Sequence, residues 1–580
     1  MRRTLVGLFV VVAAIILSAQ TRQEAAVAEW VRSTAIPLRT VEAGHGFADL
    51  QPLKPVVGNA RIVSLGEATH GTREFFQLKH RLLEFLATEM GFTIFSIEAN
   101  LPEAYRLNDY VLRGVGDPRQ LLRGMYFWTW DTEEVLDMIL WMRAFNASGR
   151  GRVQFTGFDM QTPTVAMEIV NAFVTRYDAP YTTAIARAND EIRALGAPSS
   201  FGVATSTFPV ASAAGRRVRY SGFIKTTGVT RGYAGLWWRV DGDSGILAFD
   251  NMSNRGVSGT SEWARYAIEL PVAGNARNIN FGALHTGDGS AWFDGLTIEI
   301  DGVPYTNQSV FDLDFESTTP RGFAVGGAGY EVQLDRQVVR SGSQSLRMTY
   351  RSASPAQIDP ARVSATWKDV VRYLEANRAT YQSRGATDQD IEWAARNAIV
   401  VLQGVQTRTN EVSRDRSMAE NIKWILDQSP KEKIVLWAHN GHVAAGEFEG
   451  FEPMGSTLRK MYGTNMVVFG FAFYQGAFQA MGRPIGLSTF TVDPAPAGSL
   501  DATLAAARIS AFALDWRRVP LAGRGGLVVP WLNEQKKTRW VGSTYFESAP
   551  DNFWIELRPR ELFDVTLFID MTTAARPNPR

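Results

Sequence analysis

The chain has no cysteine. That excludes disulfides, zinc–thiolate centres, a thiol nucleophile and a lipid anchor on an N-terminal Cys. An excess of one charge is missing too: 60 Lys and Arg stand against 59 Asp and Glu, a net +1. No surface is built for a polyanion, so nucleic acid is not an expected partner. Beyond the first 19 residues no stretch is apolar enough to cross a bilayer. Two catalytic motifs are lacking as well. No G-x-S-x-G leads into a helix in the setting of a nucleophile elbow, and "HNGH" at 439–442 lacks the central Glu of a zincin's H-E-x-x-H. Histidine is scarce, six in 580 residues, which makes each position informative.

What is present begins with "MRRTLVGLFVVVAAIILSAQTRQEAA". Arg2 and Arg3 precede an uncharged run from Thr4 to Ala19, followed by polar residues. A basic start, an apolar middle and a small residue near the cut are the layout of a secretory signal, placed at 1–26. An uncleaved anchor is the alternative. The expectation is an exported protein, periplasmic or extracellular, with no stable membrane insertion once the signal is removed.

At 580 residues more than one core is expected. From 27 to 198, short apolar runs such as "RIVSLG", "FTIFSIEA" and "VQFTGFD" alternate with helical periodicity, as in "TEEVLDMILWMRAFN". From 199 to 354 the texture becomes Gly, Ser, Thr and alternating residues. "RRVRYSGFIKTT", "AGLWWRVDG", "ARYAIELPV", "INFGAL", "AWFDGLTIEI" and "SQSLRMTYR" read as short strands between turns. Helical texture and buried strands return over 355–580. The fold class expected is α/β: an open sheet flanked by helices, interrupted by an inserted all-β sandwich. The insert resembles the jelly-roll modules attached to carbohydrate-active enzymes, with the opening strands ("FDLDFE…") placed second, as in a circular permutation. Alternation predicts that about half of Trp237, Trp238, Trp263 and Trp292 serve the insert's core and not a sugar. His285 reads as a strand-end residue.

The chemistry gathers at strand ends. Glu67 and His70 follow "IVSL", Glu98 closes "FSIE", Asp159 closes "FTGFD", and His439 and His442 follow "VLWA". Carboxyl ends of strands in an open α/β sheet are where loops and helix N-termini converge on ligands. Each residue alone is as readily a cap; four such ends point to a site. The helix from about Thr72 buries Phe75, Leu78, Leu82, Leu83, Leu86 and Met90, and its other side carries Arg73, Gln77, His80 and Glu84. His80 is therefore expected at the surface. His45, on a Gly-flanked loop, takes no role. A histidine oriented by a carboxylate can take a proton from water, and a second can polarise an acyl oxygen or protonate the leaving group. A Zn²⁺ or Mn²⁺ site on these His and carboxylates is the competing possibility.

"DLQPLKPVVGNARIVSLGEATHGTREFFQLKHRLLEFLATEMGFTIFSIEAN" resembles the erythromycin esterase family, with its G-E-x-T-H-G signature and a following strand ending in Glu. The resemblance continues in "FWTWDTEEVLDMILWMRAFN", "FTGFDMQ", "RDRSMAENIKWIL", "KIVLWAHNGHV" and "FDVTLFIDMTTAARP". It implies His70 as the general base, Glu67 as a catalytic or orienting carboxylate, and Glu98 and His439 as further catalytic residues. Substrate contacts would come from His442, Arg414, Asp415, Trp128, Trp130 and Arg73, with core packing the alternative for the two Trp. The implied reaction is hydrolysis of a carboxylic ester with no covalent intermediate; the export signal and the β-insert depart from the family's pattern, so the ester expected is macrolactone-like or glycan-linked. No cofactor and no metal are expected, because the histidine–carboxylate pairing already supplies base and orienter. The alternative is an inactive or metal-dependent member that binds carbohydrate.

Overall fold

The computed structural model describes residues 22–196, 201–242, 245–306, 311–327, 329–351, 359–482, 486–518, 526–545, 547 and 550–579. The signal-like segment up to residue 21 lies outside the described residues; 22–34 is helical. The chain divides into two compact units. One comprises residues 1–189, 360–481 and 487–580, the other 190–359 with 482–486.

The first unit is built on strands β1 (Ile36–Pro37), β2 (Ile62–Leu65), β3 (Ile94–Asn100), β4 (Gln154–Asp159), β5 (Ile434–Trp437), β6 (Met466–Gly482), β7 (Gly486–Val492), β8 (Ala511–Asp515) and β9 (Val565–Thr572). Among the described residues they form one nine-stranded sheet in the order β1-β8-β9-β6-β2-β5-β3-β4, with β7 on β6. From β9 to β4 every pairing is parallel, while β8 and β1 close one edge antiparallel. β2, β3 and β5 are buried at every residue. Parallel strands covered on both faces read as unbroken apolar runs, which is why these segments show no alternation. Strands from before and after residues 190–359 interleave, so the two α/β stretches make one sheet.

The helices used below are α1 (Arg73–Met90), α2 (Leu101–Arg113), α3 (Glu133–Ala147), α4 (Asp388–Arg408), α5 (Arg414–Gln428) and α6 (Asn440–Val443). α1 follows β2 and ends on Gly91 in the left-handed conformation. α3 starts where the Thr132 hydroxyl accepts from the Val135 amide. Among the described residues no helix is long and apolar enough to cross a membrane.

The amphipathic reading of α1 needs correction. Phe75, Leu78, Leu82, Leu83 and Leu86 are buried as expected, but so are Lys79, His80, Arg81 and Glu84, and Met90 is only half-buried. The helix has neighbours on more than one side. His80, expected at the surface, is 8% exposed, with its ring 5.8 Å from that of Trp141.

Among the described residues of the second unit a ten-stranded sheet joins strands over 201–207, 217–242, 245–250, 257–271, 278–286, 290–300, 303–304, 324–326, 330–335 and 345–350. All the pairings described are antiparallel. "RRVRYSGFIKTT" and "AGLWWRVDG", expected as two strands, lie in one continuous strand, Arg217–Gly242. Register shifts near Thr226, Val229 and Ala234 let it bend without a turn. Its core includes Tyr220, Trp238, Phe281, Phe293, Phe311 and Leu346. Trp238 and Trp292 are buried, whereas Trp237 and Trp263 are half-buried. Buried His285 lies near the end of its strand.

Candidate active site

The carboxyl ends of β2, β3, β4 and β5 lie side by side in the sheet, so the residues just past them share one edge. Glu67 is wholly buried and both its oxygens are taken. Oε1 lies 2.6 Å from His70 Nδ1. Oε2 accepts from the Lys79 ammonium and from the Trp437 indole N–H at 2.7 Å. With Nδ1–H donating to a carboxylate, the proton-accepting nitrogen of a neutral His70 is Nε2. The side chain of His70 is 13% exposed while that of Glu67 is at 0%, so the imidazole reaches solvent and its orienter does not.

Lys79 is fully buried. It stands one helical turn beyond Phe75 and Phe76 on the packed face of α1, with its ammonium 4.2 Å from the Trp437 ring centroid. Burial pulls its pKa down to about 8, against the opposing pull of Glu67. Trp437 also meets Trp130 edge-on at 5.4 Å.

The signature glycines have a steric cause. A Cβ on Gly66 would collide with the Asn440 side chain. That amide bridges to β6, donating to Phe471 O (2.8 Å) and accepting from Phe471 N (3.0 Å). A Cβ on Gly71 would run into the backbone carbonyl of Gln479 on β6. The turn carrying Glu67 and His70 is thus pressed against the Asn440 side chain at one end and the β6 backbone at the other.

His439 caps α6, and its Nδ1 accepts from the Gly441 amide at 3.1 Å. The neutral ring therefore carries its proton on Nε2, which is buried without a hydrogen-bond partner among the described residues. Burial, with His70 and His442 nearby, holds the His439 pKa well below the ordinary value. Its ring lies 5.1 Å from that of His70 and meets Trp540 edge-on at 5.7 Å. Glu98 accepts the His439 amide at 2.9 Å and Arg414 Nη2 at 2.7 Å. Burial would raise the Glu98 pKa, but His442, Arg414 and His70 outweigh it and hold the carboxyl well below its usual range. Arg414, at the start of α5, also forks onto Asp159, at 3.1 Å from Nε and 2.7 Å from Nη2. Its Nη1 lies 3.0 Å from His442 Nε2. Asp415 holds His442 Nδ1 at 2.9 Å. Burial lowers the His442 pKa, yet Glu98 and Asp415 prevail and raise it.

Two hydrogen-bonded groups thus form one cluster, meeting at the packed rings of His70 and His439: Glu67 with His70, and Glu98, Asp159, Arg414, Asp415, His439 and His442. Arg73, Trp128 and Trp130 are outside it among the described residues. Arg73 reaches Glu134 of α3 at 3.7 Å, Trp128 is half-buried in the turn before α3, and Trp130 packs behind Trp437. His45 is exposed, 3.5 Å from Glu42. Sequence reasoning missed Lys79, Trp437 and Asn440. Lys79 did carry a signal, a charged residue on the apolar stripe of a helix.

A family model described as erythromycin esterase matches residues 87–219 and 335–572, well over half of the chain. The chain belongs to the erythromycin esterase family. The matched ranges take in Glu98, Asp159, Arg414, Asp415, His439 and His442, and begin past Glu67 and His70. Erythromycin esterase type II of Escherichia coli is 31% identical over 157 residues, 26% of this chain and 36% of that protein. The matched segments span about a third of the curated relatives' length. Among solved structures, a Bacillus cereus protein aligns over 95% of this chain and 98% of its own, with TM-score 0.59 and 20% identity. An erythromycin esterase mutant in its open conformation aligns over 92% and 95%, with TM-score 0.51 and 13% identity. At these identities the likeness to this family member concerns the fold.

Proposed function

We propose that the protein is an exported hydrolase that cleaves a carboxylic ester, macrolactone-like or glycan-linked, by water attack. His70 Nε2 takes the proton of the water. Glu67 fixes the tautomer and stabilises the imidazolium, and Lys79 and Trp437 fix Glu67. His439, neutral and with its Nε2–H unpartnered, donates to the acyl oxygen as charge builds on it. The tetrahedral intermediate then collapses and expels the alkoxide, which takes the proton held on His70 Nε2 as the ester bond breaks, returning His70 to its neutral form. The pair His442–Asp415, tied to Arg414 and Glu98, borders the same cluster and serves substrate binding. The observation that carries this reading is the contrast between two neighbouring imidazoles. One has its Nδ1 on a buried carboxylate, the other has a buried, unsatisfied Nε2.

The donor groups fit a metal poorly. Glu98 and Asp159 are engaged by Arg414, and Glu67 by Lys79 and Trp437. Among the described residues no three His, Asp or Glu side chains are placed to hold an ion. No step is routed through one. The residues from 199 to 354 are proposed as a jelly-roll module.

The test is turnover of an ester panel by wild type and His70→Asn. General-base assistance is typically worth about 10²–10⁴-fold, and kcat is expected to fall by that much with the fold retained. Exhaustive chelation is expected to leave wild-type turnover unchanged. Near-normal turnover by His70→Asn sinks the base assignment, and chelator-sensitive activity restored by Zn²⁺ or Mn²⁺ sinks the metal-free one.

A further inference from the structure

A groove of about 790 Å³ lies where α2, α4 and α5 meet the amino end of β4, a size within the roughly 300–1,000 Å³ of small-molecule sites. Most of its lining stands away from the cluster above, although the same elements serve both and Pro102, just past β3, is part of its wall. Gln154 opens β4 and lines the groove, whereas Asp159 ends β4 and holds Arg414. Arg414 begins α5 and Gln428, in the groove wall, ends it, a run of roughly 20 Å at 1.5 Å per residue.

Three aromatic rings line the groove: Tyr105, Trp393 and Trp424. All are half-buried, so each keeps an accessible portion. Tyr105 and Trp393 pack against each other, with ring centroids 4.6 Å apart. Trp424 is backed by the Arg396 guanidinium at 5.0 Å and fixed by its indole N–H donating to Glu392 at 3.0 Å. The charged groups mostly answer one another. Arg378 donates to Glu392 at 3.0 Å and to Asp388 at 3.3 Å, and Asp390 caps α4 through Thr387. The side-chain amides of Gln154 and Gln428 add donors and acceptors without charge. The lining carries Asp109, Asp388, Asp390 and Glu392 against Arg106 and Arg378, a formal 2 − 4 = −2. Aromatic surfaces rimmed by amides and by carboxylates that can still accept, with a balance that disfavours anions, suit an uncharged ligand of apolar faces and hydroxyl edges.

We propose that this groove binds a neutral oligosaccharide, its pyranose faces on Trp393 and Trp424 and its hydroxyls on Gln154, Gln428 and Glu392. The proposal does not depend on ester hydrolysis, because it is read by binding alone. The full chain is titrated with cellohexaose, maltohexaose and laminarihexaose to about 10 mM, ten times the millimolar range, following heat and tryptophan emission. At least one sugar is expected to bind and to change the emission. Trp393→Ala and Trp424→Ala are each expected to weaken binding about tenfold or more, with Trp393→Phe between them and wild type. Trp424→Ala uncovers Arg396 and can cost folding, so Gln154→Ala, a half-buried side chain at a strand start, supplies a second reading with an expected loss of about fivefold. The proposal is overturned if none of the three sugars binds. It is equally overturned if binding keeps its wild-type affinity in folded Trp393→Ala and Gln154→Ala, which would place the sugar elsewhere on the chain.

Discussion

Lys79 carries a burden that its place on an apolar helix face conceals. Its ammonium is the cation that answers Glu67, and burial brings its pKa down to about 8. Above that pH it sheds its proton and Glu67 loses its cation, keeping only the His70 and Trp437 hydrogen bonds. Turnover is expected to fall on the alkaline side near pH 8. In Lys79→Arg, whose guanidinium stays protonated, that limb should vanish or move beyond the range measured, which paired pH–rate profiles will check. An unchanged limb would assign it to another group. His80, one residue on, concerns stability. Burial lowers its pKa to about 4, so between pH 4 and 6.5 the unfolded chain takes up a proton that the folded one refuses. Stability is then full above about pH 6.5 and declines as pH drops toward 4, by about 3 kcal/mol in all. His80→Gln should flatten this part of a melting-temperature profile and leave the pH–rate profile of the ester reaction in place.

At the scale of the element, the turn between β2 and α1 is held by contact with β6. Gly71→Ala forces the turn away from the Gln479 carbonyl, a contact with backbone that no side-chain rotation can relieve. Overpacking of this kind costs about 1–3 kcal/mol, and a shift of His70 by about 1 Å can cost on the order of 10²-fold in rate. Both a lower melting temperature and a lower kcat/KM are expected; wild-type values for both would show that the turn relaxes freely. These elements also mark how far the sequence could be read. Glu67, Glu98, Asp159 and His439 were legible because each ionisable side chain follows an apolar run whose interior admits small hydroxyls, such as Ser64 and Ser96, but no charge. Lys79 and Trp437 were not, because a long cation and an indole inside apolar runs look like packing until their partner is known. His80 was misjudged for a related reason: periodicity locates one buried face and is silent on a second. The bends of strand 217–242 were hidden because bulges keep the backbone extended where Gly and Thr suggest a turn.

At the scale of the whole molecule, the second unit has its own buried cluster around Trp238 and Phe281. Residues 190–359 expressed alone should show a β-type circular dichroism spectrum and a cooperative melt. A random-coil spectrum would mean that this cluster cannot sustain the fold alone. The sheet of the first unit has a different dependence. β2 is an interior strand, flanked by β5 and β6, and both neighbours lie far downstream. From Leu65 to Ile434 the ribosome must add 434 − 65 = 369 residues. At about 5–20 residues per second that takes on the order of tens of seconds. Throughout that time β2 has neither of its native neighbours, and its four apolar-run residues are all destined for burial. The molecule's hazard therefore belongs to its birth. A half-made chain presents an open strand that the finished one has sealed on both sides, and slower translation beyond residue 190 would prolong that exposure.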